Sequence, residues 1–517
     1  MWGASNPGRR PDTRRHRKIQ ALCIVLLMSW HTTLFAAQWR VQPTLQLAET
    51  YTDNVALAPP GGEESEFVTQ VNPGISLHGQ GGRLKLDLNY VLQNAIYASD
   101  GNRNSSNHQL AANGNAELVK NVFFVDARSS ISQQIVDANG RVGLDNLNLG
   151  NRADVFTYGL SPYLKLRFAS YADAELRFSD DRVENQSSRV SDAESLQYTA
   201  HINSGPRFAR LRWDADYLQQ DLNRKEGDNS HYQRANANVQ YRFLSSWSLL
   251  ARGGYEDNVL PRISDPRNGS YWSAGLEWAP SRRFKASATK GKNNWDADLF
   301  LQPIERTSLH VGYREREVGL IRGPSWNVSL SHRTRRTTWL ASYTESSTTV
   351  QTLQLTGQQF FTLLDSQGNL IVDPNTGLPV VLVQNIFSLT DQDFIRKRGQ
   401  LAVTLHTGKS DIVFSVFNEN RTYSLTDATE EVAGTTASWT WRFAPRTSAL
   451  IGGGWQRRNP ANTDLHEDLW HGSVALMRTV SRNVNASLEY SHLQHNTFVA
   501  FGDYGENRVT AQLNMRF

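Results

Sequence analysis

The segment HEDLWH near the end of the chain contains His466 and His471, two side chains that could bind a metal ion. A helical zinc motif separates its histidines by four residues, because that spacing places both on one face of the helix. The separation here is five, and the surrounding residues predict a loop. We therefore expect no metal site at this segment and none elsewhere in the chain.

Other catalytic patterns are missing as well. The sequence has no G-x-S-x-G nucleophile elbow, no phosphate-binding P-loop and no EF-hand loop. Its one cysteine, Cys23, lies in the first 37 residues, so the remainder has no disulfide, thiolate metal site or cysteine nucleophile. We predict no catalytic residues, no cofactor and no enzyme activity. A lipase-like dyad drawn from the serines and thirteen histidines stays open as an alternative.

Two further sets of side chains could bind ligands. Arg333, Arg335 and Arg336 could form an anion site, although a solvated turn near lipid head groups is the simpler interpretation. Five tryptophans near predicted strand ends could stack on sugar rings, although they also fit the aromatic girdles that hold a barrel at its depth in a membrane. These tryptophans are Trp247, Trp278, Trp326, Trp339 and Trp441.

The first 37 residues have the pattern of a secretion signal. A cationic stretch from Arg9 to Lys18 precedes an apolar run from Ala21 to Met28, and small residues follow at Ala36 and Ala37. We expect cleavage near Ala36/Ala37 and delivery to the outer membrane of a Gram-negative cell. A retained membrane anchor is the alternative.

The leader also accounts for the basic charge of the chain. The whole sequence has 54 Lys+Arg and 50 Asp+Glu, of which six and one lie in residues 1–37, so the remainder is close to neutral at about −1. Its charge therefore predicts no nucleic-acid partner. Aromatic residues make up 10% of a polar chain whose mean hydropathy is −0.51, as expected for a wall that is apolar on alternate residues.

Alternation with a period of two recurs along the chain. It is visible in LKLDLNYVLQ, ADAELRF and LRWDADY, where apolar side chains alternate with charged ones. Successive side chains of a strand point to opposite faces of a sheet, so each segment predicts a strand with one apolar and one polar face. We count about 24 such segments, from 39–51 to 507–517, with a range of 22 to 26.

The spacing of these segments predicts the fold class. Pairs of strands are joined by turns of about four residues and separated by longer polar stretches rich in Asn, Asp and Gly. This asymmetry predicts an all-β fold: a single large antiparallel transmembrane β-barrel over 38–517, with short periplasmic turns and long extracellular loops. A large insertion at about 347–397 is either an outward loop or a segment folded into the lumen.

The final segment, RVTAQLNMRF, alternates up to its last residue. Its apolar positions resemble the C-terminal signal read by the outer-membrane barrel assembly machinery, with methionine at a position where many such proteins have an aromatic residue. The positions that carry this resemblance are Val509, Ala511, Leu513, Met515 and Phe517.

Several longer segments resemble one family of outer-membrane proteins. They are LQLAETYTDNVAL with Tyr51, Asp53 and Asn54, then LNYVLQNAIYASDG, LSHRTRRTTWLASYTES, DFIRKRGQLAVTL and the terminal LNMRF. The chain is similar to the barrel proteins of the PEP-CTERM (exosortase) system, which are encoded with exopolysaccharide genes. The resemblance implies a location and a cellular system rather than a reaction mechanism.

The polar face of the predicted strands supplies the candidate lumen lining. These positions are Lys85, Asp87, Asn89, Lys165, Arg167, Asp173, Glu175, Arg177, Arg212, Asp214, Asp216, Gln240, Arg242 and Arg442. Their mixed signs argue against a strongly ion-selective pore and suit a hydrated passage lined by hydrogen-bonding groups. Such a lining could pass a polysaccharide.

Three functions follow as expectations. The first is a channel or scaffold for exopolysaccharide export at the cell surface, the second is a general or substrate-specific porin, and the third is a non-conducting structural or adhesive barrel. The expected partners are outer-membrane lipid and lipopolysaccharide and the barrel assembly machinery, and the first function adds exopolysaccharide and periplasmic export components. We do not expect a TonB-type transporter, because the first strand starts close to the predicted cleavage site.

Overall fold

The computed structural model describes residues 38–137, 139–143, 147, 149–187, 190–260, 268–356, 360–362, 381–384, 392–498 and 502–517. The predicted leader, residues 1–37, lies outside the described residues. Much of the predicted insertion, 347–397, lies outside them as well.

Twenty-four strands form one closed antiparallel barrel, which confirms the predicted fold class and strand number. Each strand pairs with the next along the chain, and the last pairs with the first. The barrel strands are β1 Gln38–Thr52, β2 Glu66–Gln80, β3 Leu84–Tyr97, β4 Ser105–Val119, β5 Phe123–Ile135, β6 Arg152–Phe168, β7 Ala172–Asn185, β8 Ala193–Ser204, β9 Leu211–Arg224, β10 Ser230–Arg242, β11 Trp247–Val259, β12 Gly269–Ser281, β13 Phe284–Lys292, β14 Asn294–Ile304, β15 Thr307–Arg316, β16 Gly323–Arg333, β17 Thr337–Thr348, β20 Phe394–His406, β21 Ser410–Tyr423, β22 Thr429–Ala444, β23 Thr447–Asn459, β24 Glu467–Ser481, β25 Val484–Asn496 and β26 Tyr504–Arg516.

The connection between β17 and β20 contains an α-helix and two further strands. It runs from 349 to 393, a narrower range than the predicted 347–397, because the flanking strands extend into both ends of that range. A short helix, α1, spans Val350–Thr356, and a two-stranded hairpin pairs β18 (Phe360–Thr362) with β19 (Val381–Gln384). Two 3₁₀ turns, Gly101–Arg103 and Leu149–Asn151, lie in other connections.

The period of two seen in the sequence separates two environments in the barrel wall. In β12, Trp272, Leu276 and Trp278 are 57%, 45% and 42% exposed on the outer face. On the inner face of the same strand, Ser273 and Glu277 are buried. Because successive side chains alternate across the sheet, the exterior becomes apolar and the interior polar from one continuous sequence pattern.

The two ends of the barrel differ in the length of their connections. At one end, the turn end, eleven connections cover 81–83, 120–122, 169–171, 205–210, 243–246, 282–283, 305–306, 334–336, 407–409, 445–446 and 482–483. Most connections at the other end, the loop end, are longer. One exception there is Asn293, which alone joins β13 to β14 with a φ of 58°. Asparagine tolerates this left-handed conformation better than most residues.

Basic residues dominate the turns at the turn end. We call the twelve Lys and Arg residues of the eleven turns the basic collar, and the same turns contain one acidic residue, Glu305. The collar comprises Arg83, Lys120, Arg207, Arg210, Arg282, Arg283, Arg306, Arg335, Arg336, Lys409, Arg446 and Arg482.

The closing seam joins β1 to β26. Residues Thr44–Thr52 pair with Arg508–Arg516. Beyond these strands, Asp53 extends the seam: its carboxylate accepts hydrogen bonds of 2.7 Å from the backbone and the side-chain amide of Asn507. The backbone amide of Asp53 donates to the carbonyl of Asn507 at 3.2 Å. The seam is therefore fixed at the loop end by a side-chain clasp as well as by the backbone ladder.

Candidate functional site

The interior of the barrel contains a polar cavity along β7 to β15. Its volume is about 940 Å³. Five of the predicted lumen residues line it, namely Asp173, Arg212, Asp214, Asp216 and Gln240. Other lining residues, which the sequence analysis did not select, include Arg252, Asp296, Asp298, Arg314 and Arg316.

Opposite charges on this inner wall neutralise one another. Arg252 Nη2 lies 3.3 Å from Asp298 Oδ2, and Arg314 Nε lies 2.9 Å from Asp296 Oδ1. Arg316 Nη1 lies 2.7 Å from a carboxylate oxygen of Glu256. These three ion pairs reduce the field of one sign along this part of the wall and leave hydrogen-bonding groups facing the cavity.

The remaining predicted lumen residues follow the same inner face. The register pairs Lys165 with Glu175 and Arg167 with Asp173, and Arg167 Nε lies 3.0 Å from Asp173 Oδ1. Arg177 Nη1 donates to Asp126 at 2.6 Å.

Other members contact partners elsewhere on the inner face. Asn89 accepts a hydrogen bond from Ser76 at 2.7 Å, Asp87 contacts His78, and Arg442 contacts Asp411. Lys85 lies two residues before Asp87 on β3, and Arg242 lies two residues after Gln240 on β10, so each shares the inner face of that neighbour. Whether these residues bind a transported molecule stays a prediction.

Inward-folded connections obstruct the lumen at the loop end. Val190 from the β7–β8 connection packs in one buried cluster with Val350 and Leu353 of α1 and with Phe394 and Tyr423 of β20 and β21. Val190, Val350, Leu353 and Phe394 are each at most 2% exposed. Because β7–β8 and β20–β21 lie on nearly opposite sides of the 24-strand ring, this cluster joins two distant walls.

Helix α1 is also fixed by polar and apolar contacts to β5 through β9. Gln354 Nε2 donates to Gln134 Oε1 at 3.0 Å and to Asn185 Oδ1 at 2.9 Å. Leu355 packs with Val155, Val183, Ala193 and Leu222, which belong to β6 through β9. The described part of the connection between β17 and β20 therefore folds into the lumen. Of the two placements left open by the sequence, the structure supports the inward one for α1.

The end of this connection is anchored across the barrel. Asp393, directly before β20, accepts a hydrogen bond from Ser230 Oγ at 3.1 Å and another from the hydroxyl of Tyr232. Arg224 Nη2 lies 3.7 Å from Asp393 Oδ2. Since Ser230 and Tyr232 lie on β10, these contacts connect the base of the insertion to a strand far from β20 in the ring.

A buried ionic cluster lies beside the apolar one. The carboxylate of Glu419 contacts Arg396 at 2.8 Å, Arg421 at 2.9 Å and also Arg398. Glu430 accepts hydrogen bonds from the hydroxyl of Tyr423 at 2.6 Å and from Arg458 at 2.7 Å. Ion pairs in such a dry setting are costly to form and costly to break, so they favour one fixed arrangement of this wall.

The connection between β5 and β6 contributes a second obstruction. Val142 packs with Leu57 of the β1–β2 connection and with Leu469, Leu493 and Tyr504 on the last three strands. Arg141 Nη1 donates to the carbonyl of Ala56 at 3.0 Å. Two separate connections therefore meet inside the loop end of the barrel.

The sequence analysis did not identify the residues of these clusters. Val190, Leu353 and Val142 are single apolar residues in otherwise polar connections, and no periodic pattern marks them. The one available signal was the short apolar-rich stretch VQTLQLT, in which Val350 and Leu353 are three residues apart, as on one face of a helix.

The predicted assembly signal lies at the seam. Val509, Ala511, Leu513 and Met515 alternate on β26 opposite Tyr51, Glu49, Leu47 and Leu45 of β1. Phe517 follows the strand and donates its backbone amide to the carbonyl of Pro43 at 3.0 Å. This placement describes the seam, and recognition by assembly machinery stays a prediction.

The two histidines of HEDLWH are separated in the wall. His466 lies in the β23–β24 connection with Nε2 3.7 Å from Asp468 Oδ2, whereas His471 lies within β24. Across the described ranges of the chain, no three side chains of the His, Cys, Asp and Glu types form a possible metal site. Among the same residues, no helix is both long and apolar enough to cross a membrane.

The exposed residues of the outer surface indicate the environment that surrounds the barrel. The five predicted girdle tryptophans are 36–45% exposed. Trp247, Trp278, Trp339 and Trp441 lie near the turn end, whereas Trp326 lies near the loop end in a group with Tyr313 and Trp295. Two belts of exposed aromatic rings separated by an apolar band match the interfaces and hydrocarbon core of a bilayer. The chain is an outer-membrane β-barrel. Its turn end is therefore periplasmic and its loop end extracellular.

Comparison with known proteins adds similarity of fold only. No protein-family model and no curated protein matches the chain. The chain is similar to the siderophore receptor PirA of Pseudomonas aeruginosa, with 11% identity and a TM-score of 0.41 over 92% of this chain and 80% of that one. It is similar to the FrpB iron transporter of Neisseria meningitidis, with 10% identity and a TM-score of 0.47 over 93% and 83%. These values carry no argument about what the present barrel binds.

Proposed function

We propose that this outer-membrane barrel is a gated conduit for a hydrophilic polymer, specifically an exopolysaccharide exported to the cell surface. The observation that supports this proposal best is the combination of a charge-compensated polar wall with an obstructed extracellular mouth. A polysaccharide offers many hydroxyl groups that can exchange hydrogen bonds with such a wall. The proposal includes no catalytic step and no cofactor.

The obstruction of the lumen distinguishes the proposed gated conduit from a general porin. A constitutive diffusion pore needs an open path, whereas α1 and the β5–β6 connection occupy the loop end of the lumen with buried apolar side chains. A gate that opens only during export would keep the outer membrane tight at other times. The resemblance to PEP-CTERM-associated barrels, carried by Asp53 and Asn54 among others, supplies the cellular system that we propose.

The buried clusters also support a second candidate, a non-conducting scaffold. If the loop end never opens, the same apolar contacts serve rigidity rather than gating. The two candidates differ in one property, which is whether release of α1 creates a conducting path through the barrel.

Conductance across a planar bilayer tests this difference. The variant Leu353→Asp places a charge in a cluster where Leu353 is 2% exposed, and burying an unpaired charge is strongly unfavourable. We expect low conductance for the native barrel and a large increase for Leu353→Asp. Leu353→Met, which keeps the size and apolar character, is the matched control and should conduct like the native protein.

The transported material is tested in the opened barrel and in cells. Neutral dextran added to the periplasmic side should reduce the current of Leu353→Asp, and deletion of the gene should remove surface polysaccharide without changing the uptake of small solutes. Silence of Leu353→Asp, confirmed as a folded barrel by its heat-dependent mobility on a gel, would reject the conduit and favour the scaffold.

A further inference from the structure

The basic collar carries charge that the described structure does not neutralise. All twelve of its side chains belong to exposed residues, and none forms an ion pair with a residue that the structure describes. On the inner wall nearby, by contrast, Arg167 pairs with Asp173 and Lys285 pairs with Glu277, each at 3.0 Å. These two inner-wall side chains therefore have acidic partners, whereas the collar side chains have none among the described residues.

The collar lies next to aromatic residues of the outer surface. Arg282 and Arg283 form the whole turn between β12 and β13, and this turn is flanked by Trp278 and Phe284, whose ring centroids are 5.0 Å apart. Trp247 continues the same group at 6.1 Å from Trp278. Exposed tryptophans of this kind mark the level of the lipid head groups.

The same arrangement recurs around the rim. Trp441 and Phe443, 5.2 Å apart, precede the turn that contains Arg446. The guanidinium carbon of Arg207 lies 4.8 Å from the ring centroid of Tyr171. Because most of these turns have only two to four residues, their basic side chains remain close to the membrane surface.

We propose that the basic collar binds the phosphate groups of anionic phospholipids in the periplasmic leaflet of the outer membrane. Guanidinium groups match phosphate geometry and charge, and basic side chains at a membrane surface attract anionic lipid. Proximity to lipid-facing aromatic rings, together with the ion pairs that Arg167 and Lys285 form on the adjacent inner wall, favours lipid over an acidic polymer entering the barrel. This lipid site is independent of what the barrel transports.

Quenching of tryptophan fluorescence by brominated lipid tests the proposal. The folded barrel is reconstituted in phosphatidylcholine vesicles that contain increasing fractions of brominated phosphatidylglycerol, and quenching gives the relative affinity for the two lipids. We expect a roughly two- to fivefold preference for phosphatidylglycerol at low salt. High salt should weaken this preference, because ions screen exposed charges.

The test variant is Arg282→Gln/Arg283→Gln/Arg335→Gln/Arg336→Gln, which removes four collar charges and leaves every tryptophan in place. The affinity of this variant for phosphatidylglycerol should fall to about its affinity for phosphatidylcholine. The matched control, Arg167→Gln/Arg212→Gln/Arg242→Gln/Arg442→Gln, removes the same charge from the predicted lumen lining and should keep the native preference.

Two results would overturn the proposal. One is an unchanged lipid preference in the collar variant, which would mean that the collar does not select the lipid. The other is equal affinity of the native barrel for both lipids, together with binding of dextran sulfate that the collar variant loses. That result would assign the collar to an acidic polymer instead.

Discussion

The hydroxyl group of Tyr504 makes two hydrogen bonds to the backbone of Val142, a residue 362 positions earlier in the chain. It accepts from the amide of Val142 at 2.7 Å and donates to the carbonyl of the same residue at 3.1 Å. One side chain of the last strand thus satisfies both polar groups of a residue in the β5–β6 connection. The contact holds that connection inside the barrel.

Removal of this hydroxyl should loosen the β5–β6 connection. In Tyr504→Phe, a buried amide and a buried carbonyl lose their partner, which costs about 1–3 kcal/mol. We expect faster hydrogen exchange at residues 139–143 while the barrel strands keep their protection. Tyr490→Phe is the control, because Tyr490 is 48% exposed and its hydroxyl bonds Asn507 on the outer surface. Equal exchange in both variants would contradict the assigned role of Tyr504.

Loss of the clasp at the seam should lower the stability of the whole barrel. Asp53→Ala removes two charge-assisted hydrogen bonds from Asn507 to the carboxylate, and we expect a loss of about 1–3 kcal/mol. The measurement is the temperature at which the folded band disappears on a heat-modifiability gel. Asp464→Ala changes an exposed carboxylate in the β23–β24 connection and should leave that temperature unchanged. A drop of the same size in Asp464→Ala would show that the effect is not specific to the seam.

Removing the charge of the buried Glu419 carboxylate should lower the free energy of unfolding more than removing the charge of a surface carboxylate. Glu419→Gln keeps the size of the side chain but removes the charge that faces Arg396, Arg398 and Arg421. Breaking a buried ion pair from one side costs about 3–5 kcal/mol. We expect this loss in the free energy of unfolding, measured by guanidinium titration of the vesicle-inserted barrel. Glu63→Gln, at an exposed position in the β1–β2 connection, is the control, and a loss no larger than that of the control would reject the role of Glu419.

Charge compensation on the inner wall predicts the ion selectivity of the opened barrel. In the conducting background Leu353→Asp, the change Asp296→Asn leaves Arg252 and Arg314 with one fewer negative neighbour. The reversal potential in a salt gradient should shift toward anion selectivity. The control Asp180→Asn removes the same charge beside Arg182, on a position that does not line the cavity. An equal shift in both variants would show that the cavity of β7–β15 is not on the conduction path.

The sequence predicted the barrel wall because lipid and water impose opposite demands on alternate residues. All 24 predicted segments correspond to barrel strands, although several strands extend further at the extracellular end. β22, for example, starts at Thr429, whereas the sequence pattern predicted a start near 435. The pattern missed the first residues of the strand because Glu430 faces inward and Glu431 faces outward beyond the apolar band. With acids on both faces, the alternation that marks a strand disappears.

The obstruction of the lumen could not be predicted in the same way. Burial of Val190, Leu353 and Phe394 depends on contacts between segments that are far apart in sequence, and such contacts leave no local period. The resemblance did draw attention to Asp53 and Asn54. Only the structure shows that Asp53 bonds Asn507 and that the side chain of Asn54 bonds the carbonyls of Ala58 and Gly505, at 2.8 and 2.9 Å.

The pairing of Thr44–Thr52 with Arg508–Arg516 also constrains how this protein can be produced. The first strand gains its second neighbour only when the final strand has been synthesised and delivered, so no intermediate length of chain gives a smaller complete barrel. A product that stops short of Arg508 keeps two unpaired sheet edges, which are templates for aggregation. Late nonsense mutations should therefore burden the periplasmic proteases and chaperones, rather than yield a protein with reduced activity.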